Sequence, residues 1–163
     1  MKLNQKPMKV MYLVRALQVG GAQVQLATLV EALPRNDYEP TVVTFYPDGG
    51  LENRLSAVGV PVVSMGKANR WDLAGFAYRL VREARRIGPD IVHSYMGPSN
   101  VASAAMSPFL PRARTIWGVR ASETDFSDYD WSWQLTFFAE RISSRVPDAI
   151  VANSKSGRDH LIR

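Results

Sequence analysis

Short apolar runs alternate with segments of helical period along almost the whole chain, and that alternation constrains the fold more than any other feature. Residues 9–14 (KVMYLV), 41–46 (TVVTFY), 60–65 (VPVVSM), 91–94 (IVHS), 115–118 (TIWG) and 149–152 (AIVA) read as six strands. Short, nearly continuous apolar runs suit strands buried on both faces, as in a parallel sheet. Pro61 puts the third strand at a sheet edge, or itself at that strand's first position. Between the strands the period changes. Leu26, Leu29, Val30 and Leu33 share one face of a helix over 22–33, stopped by Pro34. Residues 51–58 read as a short helix. A longer one is capped by Asp72, lined by Leu73, Phe76, Ala77, Leu80, Val81, Ala84 and Ile87, and ended by Gly88-Pro89. Small residues over 100–109 give a fourth helix. Trp131, Leu135, Phe138 and Ile142, at 4-3-4 spacing, give a fifth, with Leu135, Phe138 and Ile142 expected in the core and Trp133 or Phe137 turned outward. A last helix starts at 155. Such alternation specifies an α/β domain over 1–163, an open, mostly parallel sheet with helices on both faces.

Composition removes several functional classes. With 46% hydrophobic and 21% charged residues the chain can bury a core and is no disordered tail. The absence of cysteine excludes disulfides, zinc–thiolate sites and cysteine nucleophiles. No apolar run approaches the ~18 residues of a membrane span, and no apolar stretch follows the lysines of residues 1–8 as in a secretory signal. The expected setting is cytoplasmic. The formal charge of +5 attracts nucleic acid, anionic lipid and phosphorylated small molecules alike. Nucleic acid is disfavoured, because the basic residues are dispersed and no recognition motif accompanies them. Arg79, Arg82, Arg85 and Arg86 form a basic face on the third helix, either solvated or in peripheral contact with the inner face of a membrane.

Open parallel sheets bind ligands beyond the carboxyl ends of their strands, so the residues just after each strand are the site candidates. Gly20-Gly21 lies between the first strand and its helix. Glycine there either makes a tight turn or lets a phosphate approach the helix amides. His93, with Ser94 beside it, ends the fourth strand; an imidazole there either binds a substrate hydroxyl or phosphate or satisfies a backbone group. Arg120, with Ser122 nearby, follows the fifth strand and suits a phosphate or a surface ion pair with Glu123 or Asp125. Asn153 follows the sixth. Asp128-Tyr129-Asp130 has the form of a metal-holding pair, but Asp130 also stands where a helix cap belongs. The G-x-G-x-x-G dinucleotide fingerprint, the hydrolase elbow, the P-loop and paired-histidine metal motifs are all absent from the sequence.

Taken together, four segments resemble the N-terminal domain of family 4 glycosyltransferases, whose GT-B fold pairs two Rossmann-like domains. They are KVMYLVRALQVGGAQ, GPDIVHSY, TIWGVRAS and RISSRVPDAIVANSKSGRDHLIR, in the family's order and spacing. The resemblance implies a retaining sugar transfer from a nucleotide-sugar donor, with no cofactor or metal. It implies a glycan or glycolipid acceptor, and products such as cell-envelope polysaccharide. It places the acceptor mainly on this domain, and the donor mainly on a C-terminal domain expected to lie outside this sequence, so that the chain alone is inactive. It maps the glycine loop onto Gly20 and Gly21 and the strand-end histidine onto His93; Arg120 is the candidate phosphate holder. Gln23 stands where glutamate is usual, Tyr95 where many members have a second histidine, and Gly118-Val119-Arg120 where many carry His-Gly. Two other readings remain at this stage: a non-catalytic subunit of a split transferase, and half of a nucleotide-sugar epimerase of the same architecture.

Overall fold

The computed structural model describes residues 6–47, 49–69, 71–119 and 131–153, without the side chains of 131–133. Six strands form one parallel sheet: β1 (Met8–Val14), β2 (Tyr38–Thr44), β3 (Val62–Ser64), β4 (Ile91–Tyr95), β5 (Arg114–Val119) and β6 (Ala149–Ala152). Their spatial order is β3-β2-β1-β4-β5-β6. The chain builds outward from β1 in one direction, then returns to β4 and builds in the other. The strand order therefore reverses between β1 and β4, opening a crevice at their carboxyl ends.

Alternation along the strands sorts the core into two layers. Val10, Tyr12 and Val14 of β1 face α1 (Gly21–Ala32) and α2 (Glu52–Ala57), packing with Leu26, Val30 and Leu55. Met11 and Leu13 face the other way, onto α3 (Leu73–Ile87) and α4 (Gly97–Met106), against Phe76, Leu80, Ala84 and Met106. β1 is thus buried on both faces, as its unbroken apolar run requires.

Pro61 immediately precedes β3, which is an edge strand. Pro40 lies inside β2, which starts earlier than the apolar run at 41 suggests. The Val42 amide donates to the Pro61 carbonyl at 2.9 Å, towards β3. Pro40, two residues before it, turns its nitrogen the same way, at a level where β3 has not begun, so no ladder bond is lost. Gly88 ends α3 in the left-handed conformation (φ 60°), its amide on the Ala84 carbonyl at 2.9 Å.

Two expectations are corrected. Asp72 precedes α3 but makes no capping bond; its carboxylate instead accepts from Arg79 at 2.5 Å. On α5 (Trp131–Ile142) the 4-3-4 stripe does not enter the core: Leu135, Phe138 and Ile142 are 58%, 62% and 64% exposed. The helix instead turns Thr136 and Glu140 onto α4, because Glu140 has buried hydrogen-bond partners there and no solvent to replace them.

Candidate functional site

The candidate site is the crevice between β1 and β4. From β1 the chain runs through a loop over 15–20 into α1, and the β2–α2 connection pins that loop at two points. The Arg15 carbonyl accepts from the Phe45 and Tyr46 amides (3.1 and 3.3 Å), and the Leu17 carbonyl from the Leu51 amide (3.2 Å). Leu17 itself is fully buried. The loop reaches the helix with its backbone already positioned.

Gly20 is the N-cap of α1, with extended backbone and no side-chain cap, and its carbonyl accepts the first helical bond from Val24 at 2.9 Å. No acidic residue lies in the first turn. Gln23 folds back over Gly20, its Oε1 only 2.7 Å from where a Cβ would stand. A Cβ on Gly21 would meet nothing within 4 Å. Among the described residues, nothing therefore stands against Gly21 at the helix start, whose amides lack intrahelical partners and carry the positive end of the helix dipole.

α4 begins on the other side of the crevice, and its start is filled. Its N-cap, Met96, has φ 71° and ψ 157°, the one positive φ at a non-glycine among the described residues. That region is nearly reserved for glycine and costs on the order of 1–3 kcal/mol. The bonds that hold it are the Met96 amide on the Gly118 carbonyl and the Ser99 and Asn100 amides on the Met96 carbonyl, all 3.0 Å. Glu140 lies against the first residue of the helix, its Oε2 3.0 Å from where a Gly97 Cβ would stand. The carboxylate is 4% exposed, and its other oxygen accepts from Asn100 Nδ2 at 2.6 Å.

His93 sits on the α1 face of β4, opposite Tyr12 of β1 in register. Its ring packs against Tyr95 and Tyr12, with centroids 4.7 and 5.5 Å away. Gly118 lies beside it: a Cβ there would stand at ordinary contact, 3.5 Å, from His93 Nε2, but only 3.1 Å from the Ser94 carbonyl oxygen. Burial, then the nearby Tyr95 and Tyr38, push the Tyr12 phenol up to about 12 against a weaker pull from Arg35, so it stays neutral beside the imidazole.

Gly20, Gly21 and His93 thus share one face of the sheet at the reversal point. Ser94 is turned to the other face and fully buried. Its hydroxyl donates to Asn100 Oδ1 at 2.7 Å and lies 3.1 Å from Ser103 Oγ, which in turn accepts from Trp117 Nε1 at 2.9 Å. Asn153 is exposed after β6, its amide on the Val119 carbonyl at 3.3 Å. Arg120, Ser122 and Asp128-Tyr129-Asp130 lie outside the described residues. Of the α3 arginines, Arg79 is held by Asp72 and the Met65 carbonyl, Arg86 by Glu83, and Arg85 by the Phe109 carbonyl. Sequence reasoning missed Tyr12, the strained Met96 and the Ser94–Asn100–Ser103–Glu140 network. The available signal was Asn100 and Ser103, polar residues three apart in an otherwise small-residue helix.

An open parallel sheet whose strand order reverses at β1/β4, with a helix start lacking a side-chain cap at the reversal, defines a Rossmann-like domain. The sequence model of Glycosyltransferase Family 4 matches residues 19–163, and the chain belongs to that family. No curated protein sequence matches it. Among solved structures, HepE from Anabaena in complex with UDP aligns over 95% of this chain and 40% of its own, with TM-score 0.75 and 19% identity. MurG from Acinetobacter baumannii aligns over 91% and 42%, with TM-score 0.63 and 13% identity. UDP-N-acetylglucosamine 2-epimerase from Rickettsia bellii aligns over 96% and 42%, with TM-score 0.66 and 14% identity. At these identities the likeness is one of fold, that of the N-terminal half of GT-B. The chain spans about two fifths of the length of these structures. Among the described residues, no helix is long and apolar enough to cross a membrane.

Proposed function

We propose that this domain is the acceptor side of a retaining, nucleotide-sugar-dependent glycosyltransferase acting on a glycan or glycolipid. The observation that carries the reading is the family match over residues 19–163. The fold alone does not separate a transferase from an epimerase, since structures of both kinds align with the chain. A donor-binding domain is required to complete the cleft, and this domain by itself transfers nothing.

In this reading the α1 start faces the donor phosphates. As the sugar–phosphate bond breaks, negative charge grows on the leaving diphosphate. The amides of Gly21 and its successors are already oriented by the pinned loop, so they stabilise that charge without reorganising. Gly21 keeps the approach clear. His93, held between two tyrosines, offers a hydrogen bond to a sugar hydroxyl or phosphate oxygen. Arg120 and Ser122 keep their roles from sequence as phosphate and substrate contacts, and no metal or cofactor is called for.

The test is calorimetric titration of the chain with UDP, GDP and their sugar conjugates, followed by transfer assays on a protein that also carries the donor domain. No saturable binding at millimolar nucleotide is expected for the chain alone. In the complete enzyme, Gly21→Val should lower transfer while leaving this domain's melting temperature within a degree or two. Micromolar nucleotide binding by the isolated chain would withdraw the acceptor-side assignment.

A further inference from the structure

α3 buries Phe76, Leu80 and Ala84 against the sheet. The helical period puts positions 73, 77, 81 and 85 in one row and positions 74, 78 and 82 in a second row beside it. Both rows turn away from the buried stripe, and every position in them except the half-buried Val81 is exposed. Both begin apolar, with Leu73 and Tyr78 as their large members, and both end in arginine, at Arg85 and Arg82. Leu73 and Tyr78 are 61% and 67% exposed, and Trp71, just before the helix, is 71% exposed. Leu73, Ala77 and Val81 border one apolar cavity with Phe109, from the turn after α4, so apolar surface in water continues from one helix to the other.

The charge on this helix is unbalanced. α3 carries four arginines against one glutamate. Glu83 is taken by Arg86, at 2.9 Å, and Arg79 is held by Asp72 and the Met65 carbonyl. Glu83 and Arg79 stand outside the two exposed rows. Arg82 and Arg85 are therefore a positive excess, and no acidic residue of α3 shares their side. Arg85 donates to the Phe109 carbonyl at 3.5 Å and lies over the Phe109 ring, 5.7 Å from its centroid, so cation and apolar surface meet there. The helix dipole accounts for Arg85 and Arg86, which lie in the last turn, but Arg82 precedes that turn.

A surface with large apolar groups at one end, cations at the other and no carboxylate is complementary to an anionic bilayer. The headgroups answer the arginines, and the acyl boundary takes the apolar end, where rings with a polar tip such as Trp71 and Tyr78 are favoured. Among the described residues no helix is long and apolar enough to cross a membrane, so the contact is one of lying on the surface. We propose that this side of α3 rests on an anionic membrane, with Trp71, Leu73 and Tyr78 at the acyl boundary and Arg82 and Arg85 among the headgroups. The contact does not depend on the transferase reading above.

The experiment is flotation of the chain with vesicles of phosphatidylcholine and phosphatidylglycerol in equal parts, against vesicles of phosphatidylcholine alone. The chain should float with the mixed vesicles, less so as salt is raised, and stay behind with the neutral ones. Arg82→Gln/Arg85→Gln should weaken partitioning on the order of thirtyfold, about fivefold for each arginine. Arg54→Gln/Arg145→Gln removes the same charge from α2 and from the turn after α5, and should keep most of the binding. Leu73→Ser should weaken it too, and quenching of tryptophan fluorescence by brominated lipid should fall in Trp71→Phe. All these side chains are exposed, and thermal melts confirm that each variant is folded. No binding to the mixed vesicles, which would leave this side to an acidic protein, overturns the proposal. So does equal binding to neutral vesicles, an equal loss in the two arginine pairs, or quenching unchanged in Trp71→Phe. No nucleotide sugar is present, so failure here leaves the transferase reading standing, and failure of transfer leaves this one standing.

Discussion

Ser103→Ala tests the buried network that ties α4 to the sheet. Ser103 Oγ accepts from the Trp117 indole at 2.9 Å and donates to the Asn100 carbonyl at 2.8 Å, with both side chains almost wholly out of water. Alanine removes one oxygen and leaves little void, so the cost comes from the orphaned indole N–H rather than from packing. An unsatisfied buried donor costs about 1–3 kcal/mol. Ser94 adds little, because it keeps Asn100 Oδ1 at 2.7 Å. A loss of about 2 kcal/mol should lower the melting temperature by roughly 4–8 °C in a domain of this size. Urea unfolding followed by far-ultraviolet circular dichroism measures it, and a double-mutant cycle assigns it. With Trp117→Phe the orphan no longer exists, and Ser103→Ala should then cost at least about 1 kcal/mol less. A loss below about 0.5 kcal/mol, or the same loss in the Trp117→Phe background, would refute the argument that the indole is what the serine satisfies.

Met96→Gly should stabilise the domain by about 1 kcal/mol net, since relief of a strained φ exceeds the added unfolded-state entropy; an unchanged or lower melting temperature would contradict the strain. Gly118→Ala should destabilise by about 1–2 kcal/mol in urea unfolding, because its Cβ would stand 3.1 Å from the Ser94 carbonyl oxygen, on backbone that cannot easily give; an unchanged unfolding midpoint would contradict this. The Tyr12 phenol is pushed up to about 12, so the stability it contributes is whole below pH 10.0 and is lost as pH rises through 12; absorbance titration against Tyr12→Phe should remove the latest-ionising phenol. The carboxyls of Glu31, Asp72, Glu83 and Asp148 are held below their ordinary values. The first three owe this mainly to Arg54, Arg79 and Arg86, and Asp148 mainly to the Thr115 amide. Their contribution is present above the ordinary carboxyl values of 3.8 and 4.5 and lost as pH falls below them, so melting temperatures should drop on acidification through that window.

The centre of the sheet was legible because burial of β1 on both faces writes an unbroken apolar run; the edge strands β3 and β6 carry short apolar runs although they are half-buried or exposed. All six strands fall where those runs lie, and Pro61 marks the edge strand. What failed was the inward face of α5. Apolar periodicity reports which stripe is apolar, not which stripe is buried, and here a buried carboxylate outweighs the stripe. Glu140 meets Asn100 from forty residues away, a pairing that no local spacing encodes. The site was half legible for the same reason. Gly20-Gly21 announces itself as a local break between strand and helix. Tyr95 stands beside His93 by the period of two along β4, but Tyr12 becomes its neighbour only through the β1–β4 register, which the sequence does not write down.

The two helices that start at the strand reversal show why the site is one-sided. Each presents orphaned amides at the positive end of a dipole, and each would attract an anion if left alone. At α4 the protein fills that position with a carboxyl of its own. Glu140 packs on Gly97 and is locked there by Asn100, and with Ser94 and Trp117 bonded into the same network the whole start of the helix is rigid and closed. At α1 no such group is found among the described residues: the cap is a glycine without a side chain, the first turn holds no acid, and a Cβ on Gly21 would meet none of the described atoms within 4 Å. The asymmetry cannot come from the helices, which are alike in kind, and must come from what surrounds them. Of the two helix starts at the reversal, the one on the same face as His93 is thus the one that no side chain among the described residues fills, while Glu140 fills the other.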